Sequence, residues 1–201
     1  DVRRGQLDRR PLLDACFRGD DFHAGRNRGR DMSALFITFR DVILSDKYQV
    51  ALRLHSKRTP QVSPQVAEEF KTHLFDNLVK SRGYVHNILD KLEAEPDLGL
   101  LIPPIIHIGF GTLGHSWFNN FQPTRQLADE MKINVPLDSA TPVAPNGTMY
   151  WFRTQALRQM FEWPWQWEEY NKEPHHVDGG LAHVQERLIG YCAQAAGYRV
   201  L

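Results

Sequence analysis

The apolar residues of this chain recur at two different spacings, and the two spacings alternate along its length. Spacings of three and four residues predict amphipathic helices, whereas alternation and short apolar runs predict strands. The predicted helices cover residues 32–44, 64–82, 84–95, 123–131, 154–161 and 181–196. The predicted strands cover residues 50–54, 98–106, 148–152 and 198–201.

Local signals predict where several of these helices begin and end. Ser63 followed by Pro64 is a hydroxyl cap with proline at the first helical position. Gly83 is expected to interrupt the helix that follows, and Thr154 is expected to cap a later one. Gly197 follows the last helix and predicts a left-handed stop.

Strands separated by helices predict an α/β fold in which helices flank one sheet. We predict one domain over residues 1–201, in which residues 1–24 form a poorly defined N-terminal segment. Because the chain starts at Asp1 without an initiator methionine, we expect it to be a piece of a longer protein. The glycines and aromatic residues of 107–123 suit a shaped loop near a ligand.

Composition excludes several classes of function. Lys and Arg total 24 and Asp and Glu total 24, so no net charge favours nucleic acid or an anionic membrane. Two cysteines in 201 residues argue against a disulfide scaffold and fit a reducing compartment. No apolar run approaches the roughly 18 residues that a membrane span needs. Any anion site must therefore be formed by a small group of nearby basic residues and not by the net charge of the chain.

The stretch GRNRGRD, residues 25–31, precedes the first predicted helix. Its glycines allow the backbone to approach a ligand, its arginines offer forked donors for phosphate, and the helix start adds free amides. Gly29, Arg30 and Asp31 are therefore candidates for binding a diphosphate. A solvated basic loop is the alternative interpretation of the same stretch.

His55, Lys57 and Arg58 lie just beyond the carboxyl end of the strand predicted over residues 50–54. Ligands of open α/β sheets bind beyond the carboxyl ends of the strands. Lys and Arg can neutralise a diphosphate directly, as an aspartate-held metal does elsewhere. A hydrogen-bonded structural histidine beside two surface cations is the alternative interpretation.

Asp178 precedes two glycines and the last predicted helix. One interpretation is a helix cap. The other is a general base, a carboxylate fixed on a turn that takes a proton from an acceptor hydroxyl. Glu173, His183 and Arg187 are candidate sugar or acceptor contacts near it, and Arg187 could instead brace Asp178 or a phosphate.

The segment EWPWQWEEYNKEP, residues 162–174, is rich in tryptophan and glutamate. Aromatic faces stack on the apolar faces of sugar rings, so Trp163 and Trp165 are candidate sugar contacts. A packed lid or a contact with another domain is the alternative. His175 and His176 do not predict a metal site, because adjacent histidines bind one ion poorly and no thiol or carboxylate spacing completes a ligand set.

Taken in order, NRGRD, LRLHSKRT, NGTMYWFRTQAL, VDGGLAHVQERL and AAGYRV resemble the rhamnan synthesis protein F family of bacterial cell-surface polysaccharide assembly. The resemblance runs from about Gly25 to the end of the chain. It implies transfer of rhamnose or a similar deoxysugar from a nucleotide-sugar donor, typically a dTDP-sugar, to a glycan or lipid-linked acceptor. It also implies a cytoplasmic protein at the inner face of the plasma membrane, beside other assembly domains.

The chain more distantly resembles glycosyltransferases of the GT-A fold. That resemblance implies a Rossmann-related mixed sheet, here without its first strand. Asn27 and Gly29 fall on the nucleotide-binding stretch of those enzymes, and Asp178 falls on the position of the catalytic base. His55 and Lys57 stand where an Asp-x-Asp metal motif is usual, so we expect no metal cofactor and a phosphate clamp at Lys57 instead.

These residues together predict an inverting glycosyltransferase. Asp178 would deprotonate the acceptor hydroxyl, and Arg30, Lys57 and Arg58 would stabilise the departing nucleoside diphosphate. The alternative is a non-catalytic carbohydrate-binding or scaffolding module of a polysaccharide-assembly protein. A glycoside hydrolase, which needs two opposed carboxylates, is a third hypothesis.

Overall fold

The computed structural model describes residues 29–55, 63–105, 116–172 and 178–201. The α-helices of these residues are α1 (Arg30–Ser33), α2 (Arg40–Leu44), α3 (Pro64–Val79), α4 (Arg82–Ala94), α5 (Phe121–Glu130), α6 (Arg158–Glu162) and α7 (Leu181–Ala195). A π-helical segment, Ala34–Thr38, joins α1 to α2. The strands are β1 (Val50–Arg53), β2 (Leu98–Leu101), β3 (Tyr150–Arg153) and β4 (Arg199–Val200).

The four strands form one mixed sheet in the order β1-β3-β2-β4. β3 is antiparallel to both of its neighbours, and β4 is parallel to β2. Three strands therefore run in one direction and β3 runs in the other. The carboxyl ends of β1, β2 and β4 meet the start of β3 along one side of the sheet, where Arg53 pairs with Tyr150. We call this side the carboxyl edge.

Each face of the sheet is covered by its own set of helices. Side chains alternate along β3, so Tyr150 and Phe152 face one core while Met149 and Trp151 face the other. The first core contains residues of α2, α5, α6 and α7. The second contains Phe70, Leu74 and Leu78 of α3 with Ile88, Leu89 and Leu92 of α4. Burial of each such side chain contributes about 1.5–3 kcal/mol, which fixes the helices to the sheet.

Helix α7 runs from the carboxyl edge to the opposite side of the sheet. Its first half contacts the carboxyl edge, because the backbone N–H of Gly147 donates to Oε1 of Glu186 at 2.8 Å. Its far end turns at Gly197, which has φ 84°, directly into β4. A Cβ at Gly190 would lie 2.1 Å from the carbonyl oxygen of Val143, so glycine allows this helix to pack closely.

Most of the predicted elements are confirmed, and so is the mixed sheet flanked by helices. Ser63 caps α3 through a bond from the Val66 N–H, and Gly197 is left-handed as predicted. The predicted division into two helices is confirmed, but it falls at Lys80 and Ser81 and not at Gly83, because Ser81 caps α4 and Gly83 lies inside that helix. Thr154 caps no helix, since its hydroxyl donates to the Tyr48 carbonyl at 2.8 Å. Within the described ranges, no helix has the length and apolarity to cross a membrane.

Candidate functional site

A cluster of charged and polar side chains lies at the carboxyl edge. Arg53, the last residue of β1, forms a salt bridge with Asp31 of α1. The hydroxyl of Thr148, just before β3, donates to Oδ2 of Asp31 at 2.5 Å. Nε2 of His55 lies 3.5 Å from the same oxygen. The fold thus brings together three segments that are far apart in sequence, and we call these four residues the edge cluster.

The hydrogen bonds of His55 within the edge cluster indicate which ring nitrogen is the donor. Nε2 of His55 lies 3.0 Å from the carbonyl oxygen of Gly147 and 2.9 Å from Oγ1 of Thr148. A carbonyl oxygen only accepts hydrogen bonds, so Nε2 must carry a proton. His55 is therefore held by the loop before β3.

Asp31 is ionised because its neighbours outweigh its burial. Burial would raise the pKa of Asp31, but the Arg53 guanidinium, and then His55 and the Thr148 hydroxyl, hold that pKa well below its ordinary value. Burial would likewise lower the pKa of Arg53, and Asp31 raises it above its usual value. The pair is a buried ion pair whose two charges depend on each other.

The loop before β3 has a strained backbone. Gly147 has φ 89° and the β-branched Thr148 has φ 58°, a conformation that such side chains rarely adopt. A Cβ at Gly147 would lie 2.8 Å from Cδ1 of Leu74, so glycine is also required by space. Strain of this kind costs about 1–3 kcal/mol and persists where surrounding contacts enforce it. Here the bonds to Asp31 and Glu186 enforce it.

Gly29, on the first described turn, is enclosed by an aromatic side chain. A Cβ at Gly29 would lie 2.1 Å from Cδ1 of Tyr170, and its φ is 69°. The Tyr170 ring is buried, and its hydroxyl forms a hydrogen bond with the side chain of Gln185 on α7. The glycine therefore allows the chain entering α1 to pack against Tyr170 next to α7.

Several buried polar atoms around the edge cluster lack a hydrogen-bond partner within the described part of the chain. These atoms include Nε of Arg187 and Oδ1 of Asn146, while the Tyr150 hydroxyl interacts with the Arg53 guanidinium. Burial raises the pKa of Tyr150 to about 12, so its hydroxyl stays neutral. The Arg53 guanidinium lies 5.9 Å from the centre of the Tyr150 ring. An unpaired buried polar group costs free energy, and further such atoms belong to Arg40 and Thr124 elsewhere in the described ranges.

Asp178 is exposed but held in place by two donors. Its Oδ2 accepts from the backbone N–H of Asn119 at 2.9 Å, and its Oδ1 accepts from Nδ2 of Asn120 at 2.7 Å. The buried Asn120 also accepts from the N–H of Gly179 at 3.0 Å. Two of the roughly four acceptor positions of the carboxylate remain for a ligand. The cap of α7 is Gly180, so the interpretation of Asp178 as the cap is wrong.

Asp178 precedes the first turn of α7, whereas the carboxyl edge contacts that helix at Glu186. Glu186 contacts the carboxyl edge, and α7 begins five residues earlier at Leu181. With a rise of 1.5 Å per residue, the start of α7 is about 8 Å beyond Glu186 along the helix axis.

The other predicted site residues are buried, half-buried or outside the described part of the chain. Trp165 lies in the core and donates to the Met160 carbonyl at 2.7 Å, while Trp163 is half-buried beside it. His183 is half-buried on the first turn of α7. Arg187 is buried and pairs with Glu186 at 2.8 Å, so it does not brace Asp178. Asn27, Lys57, Arg58, Glu173 and the side chain of Arg30 lie outside the described part of the chain.

Sequence reasoning missed the side chains that complete the edge cluster. Arg53 ends an apolar strand, and Thr148 follows a glycine, which are both weak signals on their own. No group of three or more His, Cys, Asp or Glu able to hold a metal is found in the described ranges. A groove of about 570 Å³ between α3 and α4 is lined by none of the predicted site residues.

Comparison with known proteins identifies the chain by family. Residues 14–198 match the family model described as RgpF, rhamnan synthesis protein F. Two curated proteins from two strains of Xanthomonas campestris pv. campestris, both named uncharacterized protein WxcX, are each 27% identical over 180 residues. The match covers 87% of this chain and 24% of each relative, so the chain spans about a quarter of their length. No solved structure matches.

Proposed function

Because the chain belongs to the rhamnan synthesis protein F family, we propose that it is a glycosyltransferase of bacterial polysaccharide synthesis. It transfers rhamnose or a similar deoxysugar from a nucleotide-sugar donor, typically a dTDP-sugar, to a glycan or lipid-linked acceptor. The observation that carries this proposal is the carboxylate of Asp178, exposed to solvent yet fixed by Asn119 and Asn120. A general base needs both properties.

In the proposed reaction the acceptor hydroxyl gives its proton to Asp178. The hydroxyl oxygen then forms a bond to the anomeric carbon while the bond from that carbon to the diphosphate breaks. The nucleoside diphosphate leaves from the opposite face, so the configuration of the sugar inverts. A GT-A-like arrangement fits this reaction, because the mixed sheet has its polar side chains at the carboxyl edge, where α/β sheets bind ligands.

The donor diphosphate needs positive charge beyond that of the edge cluster. Asp31 neutralises Arg53, and Glu186 neutralises Arg187. We therefore propose that the diphosphate is bound by the cations that flank the cluster in sequence, which are Arg30, Lys57 and Arg58, together with Asn27. Such cations stabilise the leaving group through charge-assisted hydrogen bonds.

A different function is supported by the same edge cluster. Its buried groups bind one another, which also suits a rigid, non-catalytic carbohydrate-binding or scaffolding module. In that case the chain binds a glycan without using a donor. The two functions differ in whether a nucleotide sugar binds.

Donor binding is tested by thermal unfolding of the purified chain with a panel of nucleotide sugars. A donor at 100 times its Kd stabilises the native state by about 2.7 kcal/mol, which should raise Tm by about 5–10 °C. We expect the same shift with EDTA as with Mn²⁺, because cations of the chain hold the diphosphate. A shift that is lost in EDTA and restored by Mn²⁺ would show a metal-dependent site, and no shift with any donor would favour the binding module.

Lys57→Ala is expected to weaken donor binding about tenfold, because a charge-assisted hydrogen bond to phosphate contributes about 1.5 kcal/mol or more. Calorimetry with the donor found in the thermal screen measures this change. Lys80→Ala is the matched control, since Lys80 is exposed directly after α3 and pairs with Asp76 of that helix. Equal donor affinity in Lys57→Ala and Lys80→Ala would remove the clamp from the proposal.

A further inference from the structure

Phe118 is an exposed aromatic side chain in an unusual backbone conformation. The exposed large hydrophobic residues of the described ranges are Leu54, Ile105, Phe118 and Leu201. Phe118 is the aromatic member of this set, with 60% of its surface exposed. Its φ is 49°, which is rare for a bulky side chain. The chain therefore accepts both a strained backbone and a solvent-exposed ring at this position.

The strain at Phe118 is enforced by contacts on both sides of it. Trp117 is buried, stacks on Tyr191 with ring centres 6.1 Å apart, and donates to the Asp138 carbonyl at 2.7 Å. Asn120, on the other side, is fully buried and binds the Trp117 carbonyl at 2.9 Å. Anchors at 117 and 120 leave the ring of Phe118 directed away from the core.

Phe118 is joined directly to the residues that hold Asp178. The backbone N–H of the next residue, Asn119, donates to Asp178, and Asn120 donates to the other carboxylate oxygen. Asn119 is itself exposed, so its amide offers a donor and an acceptor beside the ring. The exposed ring of Phe118, the exposed amide of Asn119 and the exposed carboxylate of Asp178 are thus linked through adjacent residues and one backbone hydrogen bond.

We propose that Phe118 is the platform of a carbohydrate-binding subsite, on which a pyranose ring of the acceptor stacks with a hydroxyl directed at Asp178. An apolar ring beside a few polar groups matches a sugar, whose faces are apolar and whose edges carry hydroxyls. Phenylalanine, without a polar atom, suits the methyl-bearing face of a 6-deoxysugar. The identification of the ring as the acceptor rests on the proposed transferase function, but the binding of a glycan does not.

The subsite is tested by calorimetric titration of the full chain with a rhamnose trisaccharide, without a donor. We expect Phe118→Ala to weaken binding about tenfold, the effect of losing one stacking contact, and Phe118→Trp to keep it. Leu201→Ala is the control for loss of an exposed apolar side chain, since Leu201 is 54% exposed, and we expect it to bind as the parent does. Absent binding by the parent, or equal binding by Phe118→Ala, would overturn the subsite.

Phe118→Gly separates a ligand-binding role from a structural one. Glycine adopts φ 49° without strain, so this variant should raise Tm by about 2–4 °C while losing trisaccharide binding. A lower Tm together with weaker binding would mean that the ring supports the fold, which would overturn the proposal.

Transfer assays distinguish failure of the subsite from failure of the transferase. In Phe118→Ala we expect the acceptor KM to rise about tenfold with little change in kcat, the pattern of lost ground-state binding. Full activity of Phe118→Ala beside an inactive Asp178→Asn would reject the subsite and retain the transferase. Lost trisaccharide binding in Phe118→Ala, beside a chain that transfers no sugar, would retain the subsite and reject the transferase.

Discussion

Asp178→Asn is expected to lower the rate of sugar transfer by about 100- to 10,000-fold, because an amide cannot take the proton of the acceptor hydroxyl. Donor binding should stay within about threefold of the parent, since the proposed diphosphate contacts come from other segments. A radiolabelled or coupled transfer assay measures the first quantity, and calorimetry measures the second. A transfer rate within threefold of the parent would remove Asp178 from the mechanism.

The same substitution also disturbs the turn before α7. The carboxylate accepts from Asn119 and Asn120, and an amide oxygen can serve one of these donors while its NH₂ group faces the other. At an exposed position we expect this to cost about 1 kcal/mol of unfolding free energy. Asp138→Asn is the matched control, because Asp138 is an exposed carboxylate that accepts from the N–H groups of Ala140 and Thr141 at 2.7 and 3.0 Å. Because both N–H groups donate to the same oxygen, which an asparagine retains, Asp138→Asn should lose about 1 kcal/mol or less and retain transfer.

Much of the fold follows from the spacing of apolar residues and from the residues that begin or end helices. The Ser63-Pro64 signal and the stripe that follows it predict α3 correctly, because capping and burial on one face act within a single helix. Gly83 misled the prediction, since a glycine near a helix start is tolerated when the preceding Ser81 supplies the cap. The reversed direction of β3 is set by pairing with β1 and β2, which no local pattern encodes.

The candidate site is predicted less completely than the fold. Asp31 and His55 were singled out as ligands of a diphosphate, and the structure brings them together, but with Arg53 and Thr148 as their partners. A strand-ending arginine carries no periodic signal, so its pairing with a residue 22 positions away appears only once the chain is folded. The exposure of Phe118 also could not be predicted from the sequence, because an aromatic residue next to a tryptophan is usually part of a hydrophobic core.

Asp31→Asn is expected to lower the free energy of unfolding by about 3–5 kcal/mol. The substitution leaves the Arg53 guanidinium, which is 7% exposed, without its counter-ion, and an uncompensated buried charge has a cost of this size. Urea unfolding of the two proteins measures the difference. Asp97→Asn is the control, since Asp97 pairs with Arg199 on the surface and exposed pairs contribute about 1 kcal/mol or less. Similar losses in both variants would mean that Arg53 is not buried as a charge.

The contribution of Asp31 should also depend on pH with a definite sign. Its pKa is lower in the folded chain than in the unfolded chain, where the pKa of an aspartate is about 3.9. As the pH falls, the unfolded state therefore takes up the proton first. The stabilisation is fully present above about pH 5 and is lost progressively as the pH falls from about 5 towards the pKa of Asp31 in the folded chain. The difference in unfolding free energy between the parent and Asp31→Asn should accordingly shrink from pH 6 to pH 3.

A second substitution shows whether the loss in Asp31→Asn comes from the ion pair itself. Arg53→Met removes the guanidinium while keeping a side chain of similar length, so the double variant has no buried charge left unpaired. We expect the double variant to be more stable than Asp31→Asn, with a coupling of about 1–3 kcal/mol between the two positions. If the two losses simply add, the Thr148 and His55 contacts, rather than Arg53, carry the stabilisation by Asp31.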